Sequence, residues 1–181
     1  KFLTWGVDAA VWQDKGMLGR DAIGAALAAS RWGVKTLMEA GFSLEEAGTS
    51  CTIRVSCTTD IISTAALIRG LRVAWSTLMN EMGGSDSAIP LRIEAKSSSV
   101  LLVKELQEDN ILRNTLMAYG AVLGGADSIE IRRHDFRNPA KKDEEKAIRL
   151  ARNISHILRE EALMGRTDDP MGGSKHLDVA T

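Results

Sequence analysis

Cysteine, proline and aromatic residues are all scarce in this chain of 181 residues, and the charges of the two signs nearly cancel. The two cysteines, Cys51 and Cys57, lack the spacing of a metal site, and we expect both to be reduced, small strand or loop residues. A net charge of −1 gives no overall field that would attract nucleic acid or an anionic membrane. We therefore expect no metal site and no nucleic-acid partner.

Long apolar runs are also missing. No segment reaches the roughly 18 apolar residues of a membrane span, and no signal peptide is visible. These two absences favour a cytoplasmic protein without a membrane partner. The rest of the composition, with 44% hydrophobic and 26% charged residues, is that of an ordinary soluble domain or part of one. The chain starts at Lys1 without a methionine, which indicates a fragment or a processed protein.

Four short apolar segments are predicted to be strands, and each precedes a longer segment with helical spacing. The predicted strands cover residues 2–11, 52–57, 91–95 and 128–132, and the predicted helices cover residues 21–40, 60–81, 109–123 and 143–163. Asp21 is predicted to cap the first helix, and Gly41 suits its left-handed exit. Strand then helix, repeated four times, predicts an α/β fold with parallel strands and right-handed crossovers. Four units are half of an eight-stranded TIM-type barrel, and an open doubly wound sheet is the alternative.

The last third of the chain contains short motifs in a fixed order. Two glycines and the start of a strand come first, a helix that contains two of the motifs follows, and a glycine-rich turn closes the unit. These motifs are Gly124-Gly125-Ala126-Asp127-Ser128, Ala151-Arg152-Asn153, Glu160-Glu161 and Asp169-Pro170-Met171-Gly172-Gly173-Ser174. In this order they resemble the adenosylcobalamin-dependent acyl-CoA mutases, the methylmalonyl-CoA mutase family.

The resemblance implies that residues 1–181 are part of a TIM-type barrel domain, truncated at both ends. Residues 175–181 look like a further strand. No D-x-H-x-x-G segment is present, so the family's separate cobalamin-binding domain is not expected within these residues. Half a barrel leaves edge strands unpaired, and we expect this piece to need the missing half or a partner for stability.

In a barrel, site residues gather where strands end. After the first predicted strand, Trp12 and Gln13 stand where the family's small chains have Tyr-His, so no histidine is present. Gln13 is a candidate ligand contact, and a residue that caps local backbone is the alternative. After the second strand, Arg54 and Ser56 match the Arg-Leu-Ser of the catalytic chains, which the resemblance implies contact coenzyme A. A guanidinium suits a phosphate, although an ordinary ion pair is the alternative for Arg54.

At the third strand, Glu94 and Lys96 replace the histidine and glutamine of the catalytic chains. The two side chains share one strand face, so we expect them to neutralise each other inside the barrel; an acid–base pair and an exposed strand end are the alternatives. Ser97, Ser98 and Ser99 follow and have the composition of a phosphate nest. Ser98, together with Glu94 and Lys96, is therefore a candidate ligand contact.

At the fourth strand, Glu130 and Arg132 replace the family's histidine and asparagine. His134 and Asp135 are adjacent and resemble an acid–histidine dyad, but a solvated loop is the favoured interpretation. His156 and His176 are expected to be structural. A solvated loop is also expected for the basic cluster of this region, formed by Arg132, Arg133, Arg137, Lys141 and Lys142.

The missing histidines favour the non-catalytic small (beta) subunit of a methylmalonyl-CoA mutase, with no catalytic residue in this chain. The resemblance then implies a heterodimer, an isomerase in which a catalytic partner holds adenosylcobalamin and rearranges the acyl-CoA carbon skeleton. Three alternatives stay open. They are a divergent catalytic mutase that binds another acyl-CoA through Arg54 and Ser56, a pseudo-enzyme that assembles a mutase, and an unrelated α/β barrel enzyme.

Overall fold

A computed structural model describes residues 4–17, 19–84, 89–138 and 144–181 of the chain. Strands and helices alternate along it. The strands are β1 (Trp5–Asp8), β2 (Cys51–Cys57), β3 (Arg92–Ser97) and β4 (Ser128–Glu130). The helices are α1 (Ala10–Gln13), α2 (Gly19–Glu39), α3 (Leu44–Thr49), α4 (Ile61–Glu81), α5 (Asp109–Leu123), α6 (Glu144–His156) and α7 (Lys175–Ala180). A π-helical turn, Ile157–Glu161, continues α6, and a 3₁₀ turn, Met164–Arg166, follows it.

The four strands form one parallel sheet in the order β1-β2-β3-β4. Ile53 of β2 is the register partner of both Val7 of β1 and Ile93 of β3, and Ala95 pairs with Ile129 of β4. The order follows the sequence without a reversal, as in a barrel, whereas the common doubly wound sheets reverse their order at a switch point. The predicted α/β fold with four parallel strand–helix units is confirmed.

The two faces of the sheet differ in chemistry because successive side chains alternate between them. On β2 and β3, Ile53, Val55, Ile93 and Ala95 are almost fully buried and belong to the main apolar cluster. Val34 of α2 and Ile68, Leu71 and Trp75 of α4 complete this cluster, so the core lies between the sheet and its helices. The opposite face carries the charged side chains of Asp8, Arg54, Glu94, Lys96 and Glu130.

Both cysteines belong to β2 and are buried and free, as expected. Burial raises the pKa of the Cys51 thiol and of the Cys57 thiol to about 12. Because the thiolate is the reactive form, neither side chain is a nucleophile at neutral pH.

The beginning of the chain differs from the prediction at two points. The first predicted strand ends early: β1 stops at Asp8, and residues 10–13 form the one-turn helix α1. The apolar run in the sequence extends past β1 because Ala9 and Ala10, which follow the strand, are also buried. Residues 1–3 lie outside the described residues. Asp21 is not the cap of α2, since that helix starts at Gly19 and Asp21 lies in its first turn. Gly41 has a φ of +93°, which confirms the left-handed exit.

The predicted strand at residues 175–181 is wrong, because this segment is the helix α7. The Ser174 side chain accepts a hydrogen bond from the backbone N–H of Leu177 and caps the helix. Leu177 is fully buried, whereas Val179 is 90% exposed, so the alternation seen in the sequence has no second buried residue to support a strand. The predicted helix over residues 143–163 is confirmed as α6 and its π-helical turn, with Asp143 outside the described residues.

Candidate functional site

A cavity of about 520 Å³ opens at the carboxyl ends of the strands. In parallel α/β folds this end of the sheet carries the functional loops. The polar residues that line the cavity come from three successive strand ends, and Val100 and Leu101 supply apolar wall. The polar lining includes Gln13, Asp14, Lys15, Ser56, Thr58 and Ser98.

The carboxylate of Asp14 is the centre of this lining. Its Oδ1 accepts hydrogen bonds from the hydroxyls of Ser56 and Ser98, at 2.8 and 2.9 Å. Its Oδ2 accepts from the Ser99 hydroxyl at 2.5 Å and from the Ser99 backbone N–H at 3.4 Å. Asp14, Ser56, Ser98 and Ser99 are called the Asp14–serine cluster below. Two members of the serine run that has the composition of a phosphate nest, Ser98 and Ser99, thus already bind a carboxylate of the same chain.

Hydrogen bonding sets the charge state of Asp14. Burial by itself would raise the pKa of this carboxyl, but the hydrogen bonds from Ser99, Ser56 and Ser98 together outweigh burial and lower the pKa below its usual 3.8. Asp14 is therefore ionised at neutral pH, and the Asp14–serine cluster holds a negative charge.

Asp14→Asn is expected to weaken the acid dependence of stability. A carboxylate with a depressed folded pKa stabilises the fold above its unfolded pKa, and this contribution is lost as the pH falls through the folded value, below about pH 4. The free energy of unfolding of the wild-type protein should therefore fall more steeply below that pH than that of the variant. Urea unfolding of the full-length protein at a series of pH values measures both slopes. Ser99→Ala should give an intermediate slope, and equal slopes for all three proteins would contradict the assignment.

Gln13 joins α1 to the end of β2. Its Oε1 accepts a hydrogen bond from the Ser56 backbone N–H at 2.7 Å, and its Nε2 donates to the Ser56 carbonyl at 3.4 Å. The side chain is buried. These contacts match the backbone-capping alternative, and a contact between Gln13 and a ligand stays a prediction.

Arg54 lies at the centre of an ion-pair network on the charged face of the sheet. Its Nη2 donates to both Glu94 carboxylate oxygens, at 3.0 and 2.9 Å, and this pairing raises the pKa of the guanidinium. Its Nη1 lies 3.5 Å from Asp8, and its Nη2 lies 4.0 Å from Glu130. Arg54 therefore forms the ion pair that the sequence offered as the alternative to coenzyme A binding. Contacts of Arg54 and Ser56 with coenzyme A stay predictions.

The expected ion pair between Glu94 and Lys96 is wrong. Glu94 pairs with Arg54 on β2, and Lys96 lies 3.7 Å from Glu130 on β4. Both side chains do share one face of β3, as expected. Their partners lie on neighbouring strands because register partners face each other across the sheet, with Arg54 opposite Glu94 and Lys96 opposite Glu130.

Two buried asparagines on α5 hold the loops that follow β3 and β4. Asn110 donates from Nδ2 to the carbonyls of Val103 and His134, both at 2.8 Å, and accepts from the Val103 N–H at 3.0 Å. Asn114 donates to the Arg132 carbonyl at 2.9 Å. The sequence interpretation missed both residues. The signal was available, since two asparagines one helical turn apart lie on the apolar side of a predicted helix.

The basic segment after β4 is bound to the fold, so its prediction as a solvated loop is wrong for its first two residues. Arg132 donates from Nε to the Ser97 carbonyl at 3.1 Å, and its guanidinium carbon lies 4.3 Å from the centre of the Phe136 ring. Arg133 binds both carboxylate oxygens of Asp135, at 2.8 and 2.7 Å. Lys141 and Lys142 lie outside the described residues.

The adjacent His134 and Asp135 do not form the dyad that their order suggests. Asp135 is bound by Arg133, and Nδ1 of His134 is buried without a hydrogen-bond partner in the described part of the chain. The described residues also contain no group of three or more His, Cys, Asp or Glu side chains that could hold a metal ion. None of the helices in the described segments is both long and apolar enough to cross a membrane.

Known proteins are similar to this chain in sequence. The profile of the family described as methylmalonyl-CoA mutase matches residues 1–181. This chain belongs to the methylmalonyl-CoA mutase family. It is 31% identical over 175 residues to the methylmalonyl-CoA mutase small subunit of Streptomyces virginiae, covering 97% of this chain and 28% of that protein.

Two further relatives show the range of names within the family. The small subunit from Propionibacterium freudenreichii subsp. shermanii is also 31% identical over 175 residues, which cover 97% of this chain and 27% of that protein. The 2-hydroxyisobutanoyl-CoA mutase large subunit of Aquincola tertiaricarbonis is 30% identical over 126 residues, which cover 67% of this chain and 22% of that protein. The chain thus spans between a fifth and a third of the length of these mutase relatives.

The mutase motif at residues 169–174 has a structural role here. Arg69 of α4 donates from Nη1 to both carboxylate oxygens of Asp169, at 2.9 Å each, and this bond lowers the pKa of Asp169. Asp169 also accepts hydrogen bonds from the backbone N–H groups of Met171 and Gly172. The turn ends at Ser174, the cap of α7, so the motif fastens residues 162–181, the C-terminal segment, onto α4.

Proposed function

We propose that this chain is a barrel-domain segment of the non-catalytic subunit of an acyl-CoA mutase and that it supports a catalytic partner subunit. One observation carries the proposal: three polar residues at or near the carboxyl ends of the strands, Gln13, Arg54 and Ser56, are already bound within the chain. Arg54 is bound by Glu94, Ser56 donates to Asp14, and Gln13 is bound to the backbone of Ser56.

The relatives support a two-subunit enzyme and an acyl-CoA substrate. Two relatives are named small subunits of methylmalonyl-CoA mutase, and another is the large subunit of a 2-hydroxyisobutanoyl-CoA mutase. We propose a heterodimer that interconverts methylmalonyl-CoA and succinyl-CoA. A cytoplasmic location is part of the proposal and is supported by the two free, buried cysteines.

The residues at these strand ends do not fit cobalamin, the cofactor of the family. An imidazole would be needed to ligate it or face it, and the strand ends carry Gln13, Glu94 and Glu130 instead. The one histidine nearby, His134, has its Nδ1 buried inside the β4 loop. We therefore assign adenosylcobalamin to the catalytic partner.

A second candidate function is a divergent catalytic mutase in which this chain binds coenzyme A. The cavity at the carboxyl ends favours it, since Gln13, Ser56 and Ser98 line this space. Arg54 would bind a phosphate, with Glu94 and Lys96 contacting other parts of the ligand. A phosphate would have to replace the Glu94 carboxylate, which accepts both hydrogen bonds of Arg54 Nη2.

The test is an assay of the full-length protein with and without a candidate catalytic subunit. We expect methylmalonyl-CoA to be converted to succinyl-CoA, in the presence of adenosylcobalamin, only when both subunits are present. Calorimetric titration with coenzyme A separates the alternatives: we expect no binding to the subunit alone. Turnover by this subunit alone would overturn the proposal, and coenzyme A binding that Arg54→Met abolishes would favour the second candidate.

A further inference from the structure

The donors around Asp14 form a set that recognises a small oxyanion. Three hydroxyls and one backbone N–H converge on two carboxylate oxygens, with donor–acceptor distances of 2.8, 2.9, 2.5 and 3.4 Å. Ser56 and Ser98 are each only 4% exposed. Hydroxyls and backbone N–H groups around an anion are a common solution for carboxylate and phosphate binding.

These contacts do not form a local turn. The partners of Asp14 lie 42, 84 and 85 residues further along the chain, so the carboxylate is a long-range ligand of two other strand ends. For comparison, the Asp60 carboxylate also accepts from a serine hydroxyl and an N–H, but both donors belong to Ser63, three residues away at a helix start. Of the two aspartates, only Asp14 closes a site built by distant segments.

The donors are positioned by contacts that do not involve Asp14. The Ser56 backbone is bound by Gln13, and the Ser98 N–H donates to the Cys57 carbonyl at 3.3 Å and lies 3.2 Å from the Met117 sulfur. The Ser99 carbonyl accepts from Arg137 at 3.3 Å. The backbone of each donor residue therefore has a support other than the carboxylate that fills the site.

We propose that the carboxyl ends of β2 and β3 form a binding site for a small oxyanion, a carboxylate or a phosphate, and that the Asp14 side chain is its built-in occupant. The adjoining cavity gives solvent access, since Asp14, Ser56 and Ser98 all line it. While Asp14 is in place, its charge repels a second anion and its oxygens use the donors. An external oxyanion therefore enters only after the side chain is removed.

Chemical rescue of the full-length Asp14→Ala variant tests this assignment. Removing the carboxylate is expected to lower Tm by about 5 °C, since the hydroxyl donors lose their acceptor. Sodium formate should then raise Tm toward the wild-type value, and sodium chloride at the same ionic strength should not. Sodium phosphate in a parallel series shows whether the site also accepts a tetrahedral anion.

Two controls make the result specific. Asp60→Ala removes an exposed aspartate that accepts from Ser63, and formate should not restore its Tm beyond the effect of chloride. The triple variant Asp14→Ala, Ser98→Ala, Ser99→Ala should lose the rescue. If Asp14→Ala is unfolded in chloride, refolding is followed by circular dichroism, and recovery in formate alone supports the site. Equal responses to formate and chloride, in either format, overturn it.

Discussion

Asn110→Ala is expected to lower the free energy of unfolding by about 2–4 kcal/mol. The side chain is fully buried and serves three backbone groups at once: the N–H and C=O of Val103 and the C=O of His134. Alanine provides no hydrogen bond to any of these partly buried backbone groups, and leaving them without partners is destabilising. Both loops held by Asn110 follow strands that end at the candidate site, so the variant should also loosen that edge of the sheet.

Urea unfolding of the full-length protein measures the effect, and Asn153→Ala is the matched control. Asn153 lies on α6 and is exposed, so the same substitution there should change stability by less than about 0.5 kcal/mol. Hydrogen exchange should become faster at residue 103 in the Asn110 variant alone. Similar stabilities for the two variants would show that the buried hydrogen bonds of Asn110 contribute little.

Gly124→Ala is expected to destabilise the protein by about 1–3 kcal/mol, the range for overpacking a filled contact. A Cβ at this position would lie 2.9 Å from the Cβ of Ile68 and 3.1 Å from the Cα of Ala65, both on α4. Because the Ala65 Cα is a backbone atom that cannot rotate away, α4 and α5 would have to separate. The next residue, Gly125, has a φ of +76°, so the two glycines of the family motif are needed for different reasons.

Gly24→Ala provides a control of opposite sign. Gly24 lies inside α2, and apart from its chain neighbours and the backbone of its own helix no described atom lies within 4 Å of a Cβ built there. Alanine is the better helix former by about 0.5–1 kcal/mol, so this variant should be more stable than the wild type. Thermal unfolding measures both changes: Tm should fall for Gly124→Ala and rise for Gly24→Ala. A neutral Gly124→Ala would show that the contact between α4 and α5 yields easily.

The sequence alone predicted the fold because the alternation of strand and helix is repeated four times with glycine exits. Asp109 and Leu123 bound the third predicted helix, and α5 has these same limits. The end of the first strand was predicted wrongly because one apolar run continues from β1 through the buried Ala9 and Ala10 into α1. The strand at residues 175–181 was predicted wrongly because Leu177 is the one buried residue of that short alternating segment. Periodicity carries no information on which apolar residue finds a neighbour.

The candidate site was predictable in its location and much less in its contacts. In barrels, site residues gather where strands end, and this predicted the positions of Gln13, Arg54, Ser56 and Glu94. The structure has them near the strand ends or on the charged face of the sheet. Pairing depends on strand register and loop geometry, which the sequence does not express. For that reason the sequence suggested Lys96 as the partner of Glu94 and gave no sign that Asp14 would fill the serine loop.

The ion pair between Arg69 and Asp169 joins residues that are 100 positions apart, and this has a consequence for biosynthesis. Ribosomes add about 5–20 residues per second, so roughly 5–20 s separate the two residues during translation. Throughout that interval Ala65 and Ala66 of α4 are without Leu177, which later covers them. For that interval this part of α4 in the nascent chain has no cover from α7, and chaperones that bind apolar surfaces would meet it there.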